Sequence, residues 1–473
     1  MAKATKASPR QIVVIGGGPG GYVAAIRASQ LGAKVLLIEK DRIGGTCLNR
    51  GCIPTKALLH DAGTLRRLKE SPVFGLCLTE RLDLLSAMME RKAKVVEEMV
   101  KGVEILLESH RVSVRRGEGE LLGGKRIGFL GRDGQKEELE ADAIILSPGS
   151  KTKSVAPLKP DKERILTSDE ALELRSLPSE MVIVGGGYIG VEFATLFSSL
   201  GSRVTLIEIL EEILPGLDSE IVRNLKRVFE KDGIRILTGS SVEEIRDGRE
   251  TLSLSVKTPH GTEVIPAEKV LVAVGREPRL DLDFGKAGVE VSPSGICVNA
   301  RMETSASGIY AVGDAVGGLL LAYVASEEAV VAAENAMGIE ARKKEAPMPL
   351  CVFTHPEIAS VGLTEQEAKS QGEIRIGRFP FRSNPKALIT GERDGLIKVI
   401  SRRESGEILG IHMIGSGAGE LVSAASLIIN QKVRVKEFSE LLQVHPTFSE
   451  ALREAVLDTE GQAVHLPRPL RRK

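Results

Sequence analysis

The chain has few cysteines, only five in 473 residues, and their number is odd. Secreted domains that are held together by disulfides carry many cysteines in even number, so the composition argues against such a fold. An excess of one charge is also missing, because 64 Lys and Arg residues balance 64 Asp and Glu residues. No long-range field therefore favours nucleic acid or an anionic membrane surface as a partner.

Long apolar segments are absent too. No uncharged apolar run reaches the length that spans a membrane, and the basic N-terminal segment meets a strand without a separate apolar signal segment. We therefore expect a cytoplasmic protein that binds neither membranes nor nucleic acid. The length is sufficient for about three domains, each with its own core.

The N-terminal part of the sequence has the pattern of a Rossmann βαβ unit. A β-branched run, a glycine-rich turn at 16–21, a helix-like segment and a second strand follow one another, and Glu39 ends the second strand. The turn places Gly16, Gly18 and Gly21 at the G-x-G-x-x-G positions. The first glycine permits the turn, the second lets the backbone approach a pyrophosphate, and the third lets helix and strand pack closely. The pattern predicts a bound dinucleotide.

The same pattern recurs at 181–208. Its glycines are Gly185, Gly187 and Gly190, and Glu208 ends the second strand. In both copies the acid lies 18 positions after the last glycine. Two equivalent units indicate two dinucleotides, and two cofactors that exchange electrons are most simply a flavin and a nicotinamide. A duplicated fold with one inactive site is the alternative.

Two thiols follow the first unit. Cys47 and Cys52 lie in the stretch 44–56 with four residues between them, and two thiols beside a nucleotide indicate redox chemistry. A zinc site would need a second pair or a neighbouring histidine to complete its tetrahedron, and neither occurs nearby, so no metal is expected. A structural disulfide fits poorly in a reducing cell.

The second half of the chain holds two further features. The stretch 308–314 has the pattern of a strand that ends in Asp314, whose carboxylate can accept hydrogen bonds from sugar or ribitol hydroxyls. A turn or helix-capping aspartate is the alternative. Its place after the second unit suggests that the first domain is interrupted and completed there.

From about Pro347 the glycine motifs cease, and strand-like and helix-like segments indicate an α+β domain. Within it, His445 lies five residues before Glu450. On its own, that histidine is most simply a surface residue.

Taken together, the chain resembles the pyridine nucleotide–disulfide oxidoreductases along nearly its whole length. The motifs that carry the resemblance are the segments 16–21, 44–56, 185–192, 274–278, 308–314, 321–328, 354–362, 417–420 and 445–450. The resemblance implies an α/β fold with two Rossmann-like dinucleotide-binding domains, for FAD and NAD, and an α+β C-terminal dimerisation domain. The implied boundaries are 1–150 for the FAD-binding domain, 151–280 for the NAD-binding domain, 281–346 for the completion of the FAD-binding domain and 347–473 for dimerisation.

The resemblance also implies the roles of the catalytic residues. Cys47 and Cys52 would form a redox disulfide against the flavin, with Cys47 exchanging with substrate and Cys52 acting as the charge-transfer thiolate beside the isoalloxazine ring. Lys56 would lie at the reactive edge of the flavin and Glu192 would be its ion-pair partner, whereas a surface salt bridge is the ordinary alternative.

His445 and Glu450 match the acid–base pair of the family. A histidine titrates near neutral pH, and a carboxylate partner orients it and raises its pKa. In the family this histidine comes from the opposite subunit, so a monomer would lack a complete active site.

The cofactor-binding residues follow from the same motifs. FAD would be bound by Gly16, Gly18, Gly20, Gly21, Glu39, Gly45, Thr46, Lys56, Gly119, Gly149, Ser150, Asp314 and Ala322. NAD would be bound by Gly185, Gly187, Tyr188, Ile189, Gly190, Glu208, Val242, Gly275 and Arg276. NAD is expected rather than NADP, because Glu208 would repel a 2′-phosphate and the stretch 209–222 contains no Lys or Arg.

Four positions depart from the pattern of the family, and none removes an essential group. Arg50 stands where a small apolar residue is usual, Thr55 replaces a serine, Pro148 replaces a threonine and Tyr323 replaces a histidine. We hypothesise that Arg50 lowers a thiol pKa or shifts the redox potential. Pro148 removes a backbone donor near the expected flavin adenosine.

The implied activity is flavin-dependent oxidation of protein-bound dihydrolipoyl groups with reduction of NAD. The implied partners are a second copy of the chain and the lipoyl domains of 2-oxo-acid dehydrogenase or glycine cleavage proteins. The alternatives are an FAD-dependent reductase of a small disulfide that uses NADPH, a soluble flavin transhydrogenase that uses no thiols, and a redox-inactive assembly subunit. Mercuric-ion reduction is not expected, because no cysteine follows Cys351.

Overall fold

The computed structural model describes residues 9–70, 84–249 and 251–467. Cys77 and the basic end of the C-terminal tail, 468–473, lie outside these ranges. Within the described part of the chain, no helix is both long enough and apolar enough to cross a membrane.

A seven-stranded sheet forms the first nucleotide fold. Its strands are, in spatial order, Ile309–Ala311, Ala143–Leu146, Gln11–Ile15, Lys34–Glu39, Ser113–Gly123, Arg126–Gly131 and Lys136–Glu140. The first five are parallel and the last two are added antiparallel. The helices of this part are Pro19–Gln30, Gly45–Arg50, Cys52–Glu70, Leu84–Ser109 and Ala322–Ala336. The chain therefore returns to the first sheet at Ile309–Ala311, after the second nucleotide fold.

Alternate side chains of the central strand explain the core of this fold. Successive residues of a strand point to opposite faces of the sheet. Ile12 and Val14 pack in one buried cluster together with alanines of the flanking helices, such as Ala25 and Ala329. The residues between them and after them pack on the opposite face. Apolar residues on both faces are typical of a parallel sheet that is covered on both sides.

The second nucleotide fold repeats this design around a five-stranded parallel sheet. Its strands are, in spatial order, Arg235–Leu237, Arg203–Ile207, Glu180–Val184, Lys269–Val272 and Ile165–Leu166. Its helices are Ser168–Ala171, Tyr188–Leu200 and Ser219–Lys231, and an antiparallel sheet of Ser241–Asp247, Leu252–Thr258 and Gly261–Ala267 is attached to it. A ribbon of Ser150–Thr152 paired with Arg276–Pro278 lies where the chain passes between the two folds.

The C-terminal part is an antiparallel sheet covered by helices. The strands are, in spatial order, Leu350–Val352, Ile358–Gly362, Ile408–Ile414, Leu396–Arg402 and Ile374–Pro380. The helices are Glu365–Ser370, Pro385–Thr390, Ala418–Asn430, Val435–Ser439 and Ser449–Asp458.

The smaller elements of the chain are the short helices Phe284–Ala287, Gly313–Val316 and Phe381–Ser383 and the hairpin of Val291–Ser292 with Gly295–Ile296. The predicted fold class, two Rossmann-like units and an α+β C-terminal domain, is confirmed.

A buried ionic cluster joins the second nucleotide fold to the C-terminal sheet. Lys398, whose side chain is 1% exposed, donates to both carboxylate oxygens of Asp218 at 2.9 Å and to Glu365 at 2.6 Å. Its Nζ also lies 3.2 Å from Glu220, and Arg378 donates to that same carboxylate. Burial by itself raises the pKa of Asp218, but the hydrogen bond and charge of Lys398 outweigh it and hold that pKa below its usual value.

Candidate active site

Two of the three motif glycines of the first turn occupy positions that no larger residue fits. A Cβ at Gly16 would lie 2.1 Å from the carbonyl oxygen of Ser147, and a Cβ at Gly21 would lie 1.7 Å from that of Gly16. Gly18 caps the helix Pro19–Gln30 without a side-chain hydrogen bond. A Cβ at Gly18 would have no obstacle nearer than the Cα of Gly45, at 3.9 Å. Two glycines thus allow close packing, and the third leaves open space at the helix N-terminus. Such a site suits a pyrophosphate.

The second turn has the same geometry. A Cβ at Gly185 would lie 2.3 Å from the carbonyl oxygen of Ala273, and a Cβ at Gly190 would lie 1.8 Å from that of Gly185. Gly187 caps the helix Tyr188–Leu200 and faces open space. Both turns therefore fit a dinucleotide, and each copy keeps the glycine geometry that a pyrophosphate needs.

The two strand-end acids hold their own glycine turns. Glu39 accepts hydrogen bonds from the backbone N–H of Gly17 at 2.6 Å and of Asp41 at 2.7 Å. Glu208 accepts the equivalent bonds from Gly186 at 2.6 Å and Leu210 at 2.8 Å. The sequence predicted these acids only as cofactor-binding residues. The structure adds a second task, because each carboxylate ties the turn to the end of the strand.

One cavity of about 1820 Å³ connects the two folds. Its wall contains most of the predicted site residues, namely Gly16, Gly18, Gly20, Glu39, Gly45, Thr46, Cys47, Cys52, Lys56, Gly119, Gly149, Ser150, Gly185, Gly187, Tyr188, Ile189, Glu192, Glu208, Val242, Gly275, Arg276, Asp314 and Ala322. Gly21 and Gly190 do not line the cavity. They let each helix pack directly against the backbone of its glycine turn. His445 and Glu450 are not part of the wall. The cavity thus brings both sets of nucleotide residues to one thiol pair.

The thiol pair lies on two consecutive helices. Cys47 belongs to Gly45–Arg50, and Cys52 is the first residue of Cys52–Glu70. Both are free thiols, and a hydrogen bond between them lowers the pKa of Cys52 to about 7 against the opposing effect of burial, with help from the charge of Lys56. The same hydrogen bond and burial raise the pKa of Cys47. Because the two groups share a proton, the first apparent pKa belongs to the pair.

Lys56 and Glu192 form an ion pair at the inner end of the thiol site. The Nζ of Lys56 lies 2.7 and 2.9 Å from the two carboxylate oxygens of Glu192. Glu192, which is 5% exposed, also accepts a hydrogen bond from the backbone N–H of Phe353 at 3.1 Å, and the Phe353 ring lies 4.8 Å from the Lys56 Nζ. The partly buried pair is therefore not the surface salt bridge that was the ordinary alternative. The sequence contained no local signal for Phe353, which comes from the C-terminal sheet.

The residues predicted for the two cofactors meet at Ser150. Its hydroxyl donates to Asp314 at 2.5 Å and accepts from the Arg276 side chain at 2.8 Å, and Arg276 also donates to the Ser150 carbonyl at 3.0 Å. Arg276, predicted for NAD, is thus bonded to Ser150, which was predicted for FAD. It connects the two nucleotide regions.

Arg50 is held by carboxylates. Its guanidinium donates to Asp41 and lies 3.9 Å from Asp169, which the sequence did not single out. Lys56 is the cation that acts most strongly on the pKa values of the thiols. The hypothesis that Arg50 itself tunes a thiol remains a prediction, and the structure offers the charge of Lys56 as the stronger cause.

His445 and Glu450 form a dyad on the surface of the chain. The His445 Nδ1 lies 2.9 Å from one Glu450 oxygen, and the other oxygen accepts a hydrogen bond from the Thr447 backbone N–H at 2.8 Å. Burial is the largest single effect and by itself raises the pKa of Glu450, but the Thr447 N–H and His445 together outweigh it and lower that pKa. The His445 side chain is 66% exposed. The dyad is thus formed within one chain and presented outward, away from that chain's own thiols.

Two dinucleotide folds that share one cavity with a thiol pair define a nucleotide-dependent redox enzyme that works through sulfur. Residues 10–329 match the family described as "Pyridine nucleotide-disulphide oxidoreductase", and residues 348–456 match its dimerisation domain. The chain belongs to the pyridine nucleotide–disulfide oxidoreductase family.

Named relatives agree over nearly the full length. The chain is 42% identical to a dihydrolipoyl dehydrogenase of Bacillus subtilis (strain 168) over 459 residues, covering 96% of this chain and 99% of the relative. It is 42% identical to a dihydrolipoyl dehydrogenase of Thermus scotoductus over 464 residues, covering 96% and 98%. The crystal structure of LpdA from Mycobacterium tuberculosis matches with a TM-score of 0.87 and 28% identity, covering 94% and 99%.

Proposed function

We propose that this protein oxidises protein-bound dihydrolipoyl groups to lipoyl groups and reduces NAD to NADH, as a dihydrolipoyl dehydrogenase. The single observation that carries the proposal is the position of the Cys47–Cys52 pair, on the wall of a cavity that also contains both glycine turns. The relatives that share nearly the whole chain carry this name.

The first step uses the positive charge of Lys56 beside Cys52. With the Cys47–Cys52 disulfide formed, a substrate thiolate attacks the Sγ of Cys47, a substrate–Cys47 disulfide forms, and the bond to Cys52 breaks. Cys52 leaves as a thiolate, and a leaving thiol of low pKa leaves faster. The positive charge of Lys56, which lowers the pKa of Cys52, favours this direction of attack.

The second step closes the product. The remaining substrate thiol attacks its own neighbouring sulfur, the lipoyl disulfide forms, and Cys47 is released as a thiol, in agreement with its raised pKa. Of the two substrate protons, one ends on Cys47 and the other is taken up by His445 of the partner subunit. Glu450 orients that imidazole and stabilises its charged form.

The two electrons then leave the thiol pair and the disulfide returns. Bound FAD supplies the chemistry that passes two electrons from the pair to NAD as a hydride. Gly18 and Asp314 lie on the wall where the flavin nucleotide fits, and Gly187 and Glu208 lie where the nicotinamide nucleotide fits. Cys47 and His445 release their protons, of which one balances the hydride and the other enters solvent.

NAD is the nicotinamide that the second fold supports. The buried Glu208 lines the cavity at the end of its strand, where a carboxylate favours a free ribose hydroxyl and repels a 2′-phosphate. The acidic residues that follow it in the sequence, such as Glu211 and Glu212, add to that repulsion.

The working unit is a homodimer in the cytoplasm that serves lipoyl domains of 2-oxo-acid dehydrogenase or glycine cleavage proteins. The outward His445–Glu450 dyad supports the dimer, because a single chain keeps this dyad apart from its thiols. The match to the dimerisation domain of the family points the same way. The domain boundaries at 150, 280 and 346 belong to this proposal as well.

The test is an anaerobic titration of the purified yellow protein with dihydrolipoamide, followed by NAD, while the visible spectrum is recorded. We expect a long-wavelength band after dihydrolipoamide and its loss after NAD, with no response in Cys47→Ser. If dihydrolipoamide leaves the flavin oxidised while NADPH bleaches it, the substrate and the nicotinamide are both assigned wrongly. Transfer of hydride between nicotinamides that survives thiol blocking, without dithiol oxidation, would identify a transhydrogenase instead.

A further inference from the structure

The C-terminal sheet reaches into the redox site through one short segment. The strand Leu350–Val352 lies at the edge of that sheet, and Cys351 forms part of the cavity wall. Phe353, the next residue after the strand, places its ring 4.8 Å from the Lys56 Nζ and its backbone N–H 3.1 Å from a Glu192 oxygen. One residue therefore contacts both charges of the ion pair that lies beside the thiols.

The two charges act on the thiol pair in opposite directions. Lys56 lowers the pKa of Cys52, whereas Glu192 raises it. The effect of the ion pair on the thiols therefore depends on where the ammonium lies relative to the carboxylate. The face of an aromatic ring attracts a cation, and a backbone N–H fixes a carboxylate oxygen, so Phe353 restrains both groups.

We propose that Phe353 is a positioning residue of the redox site, which holds the Lys56 ammonium and the Glu192 carboxylate where they act on the Cys47–Cys52 pair. The proposal rests on the redox role proposed above for that pair. It deepens that role, because it makes the packing of the C-terminal sheet a determinant of thiol reactivity in the first nucleotide fold.

The substitution Phe353→Leu tests the ring alone, since leucine keeps the backbone N–H and an apolar side chain. Phe353→Tyr keeps the ring and is the rescue variant. Phe438→Leu is the matched control, because Phe438 is a buried phenylalanine of the C-terminal core. The readout is the pH dependence of iodoacetamide alkylation in the reduced holoprotein, with the modified cysteine of the Cys47–Cys52 pair assigned by peptide mass spectrometry.

We expect the first apparent pKa of the thiol pair to rise in Phe353→Leu, because the ring no longer holds the ammonium whose charge lowers the pKa of Cys52. Phe353→Tyr and Phe438→Leu should match the parent protein. An unchanged or lowered pKa in Phe353→Leu overturns the proposal, and so does an equal rise in either of the other variants. Failure of the parent protein to oxidise dihydrolipoamide would instead overturn the proposed function, and the thiol measurement would still stand.

Discussion

Replacing Lys398 by methionine should destabilise the contact between the second nucleotide fold and the C-terminal sheet. Lys398 and Asp218 have side chains that are each 1% exposed, and the ammonium donates to both oxygens of the carboxylate. Breaking a buried pair by removing one partner typically costs about 3–5 kcal/mol, because the remaining charge is left uncompensated. Asp218 would keep the backbone N–H bonds of Glu220 and Glu365. We therefore expect the lower end, about 3 kcal/mol.

The assay needs local resolution, because a chain with several domains does not unfold as one unit. Native-state hydrogen exchange of the helix Ser219–Lys231 and the strand Leu396–Arg402 gives the free energy of opening on each side of the contact. The matched control is Lys231→Met on the same helix, whose exposed ion pair with Asp394 should contribute about 1 kcal/mol or less. Equal losses in the two variants would refute the argument from burial.

A second variant identifies the source of the loss. Adding Asp218→Asn to Lys398→Met removes the uncompensated charge and keeps an oxygen that can accept from the Glu220 N–H. We expect it to recover about 1–2 kcal/mol of the free energy of opening. No recovery would show that lost packing of the lysine side chain, rather than a stranded carboxylate, explains the effect.

The pH dependence of the Lys398 effect has a definite sign. The pKa of Asp218 is lowered in the folded protein, so its stabilising contribution is present above its unfolded pKa, about 3.9, and is lost as pH falls through the folded pKa. The pKa of Lys398 is raised, because its carboxylate partners outweigh burial, so its contribution is lost only as pH rises above about 10.4. The difference between parent protein and Lys398→Met should therefore be constant near neutral pH and should shrink in acid. A difference that grows in acid would contradict this assignment.

Three further substitutions address the active site. Gly21→Ala should abolish flavin retention, measured as visible absorbance per chain, because the added Cβ would lie 1.7 Å from the Gly16 carbonyl oxygen. The control Gly63→Ala should keep the flavin, because a Cβ there has no obstacle nearer than 3.9 Å. A Gly21→Ala protein that is still yellow would contradict the tight packing of the turn. Glu192→Gln removes a charge that raises the pKa of Cys52, so alkylation of the thiol pair should begin at lower pH. A shift of alkylation to higher pH would show that displacement of Lys56 affects the thiols more than the loss of the Glu192 charge does. His445→Gln should lower the rate of dithiol oxidation by about 10²–10⁴-fold, because the acid–base group is lost, and a rate near that of the parent would remove the histidine from the mechanism.

Much of the nucleotide-binding architecture could be predicted from the sequence, because its determinants are local. The glycines at 16 and 185 and the acids at 39 and 208 lie at short, fixed spacings from each other, and short spacing fixes how strand, turn and helix must meet. The thiol pair was found in the same way, since its two members lie on adjacent helices. The backbone bonds that the two acids make to their turns were missed, because the spacing predicts proximity to a ribose and not the choice of partner.

Other features depend on residues that are far apart in the chain. Lysine is usually a surface residue, and nothing in the sequence around Lys398 predicts that it is buried. Only the packing of two domains buries it against Asp218, 180 positions earlier. Phe353 meets Glu192 across 161 positions. Neither pair is marked in the sequence by a periodic pattern or a fixed spacing, so the sequence alone does not predict that its members are in contact.

By itself, the sequence determined the two nucleotide folds, the redox pair and the order of the domains, because these depend on backbone conformations that only particular residues at neighbouring positions can adopt. Only the tertiary structure decided which charges surround the thiols and that the His445–Glu450 dyad faces outward, away from the cavity of its own chain. The physical reason is that electrostatic interactions depend on distance and burial in three dimensions, and both are set by the packing of domains rather than by any local run of residues.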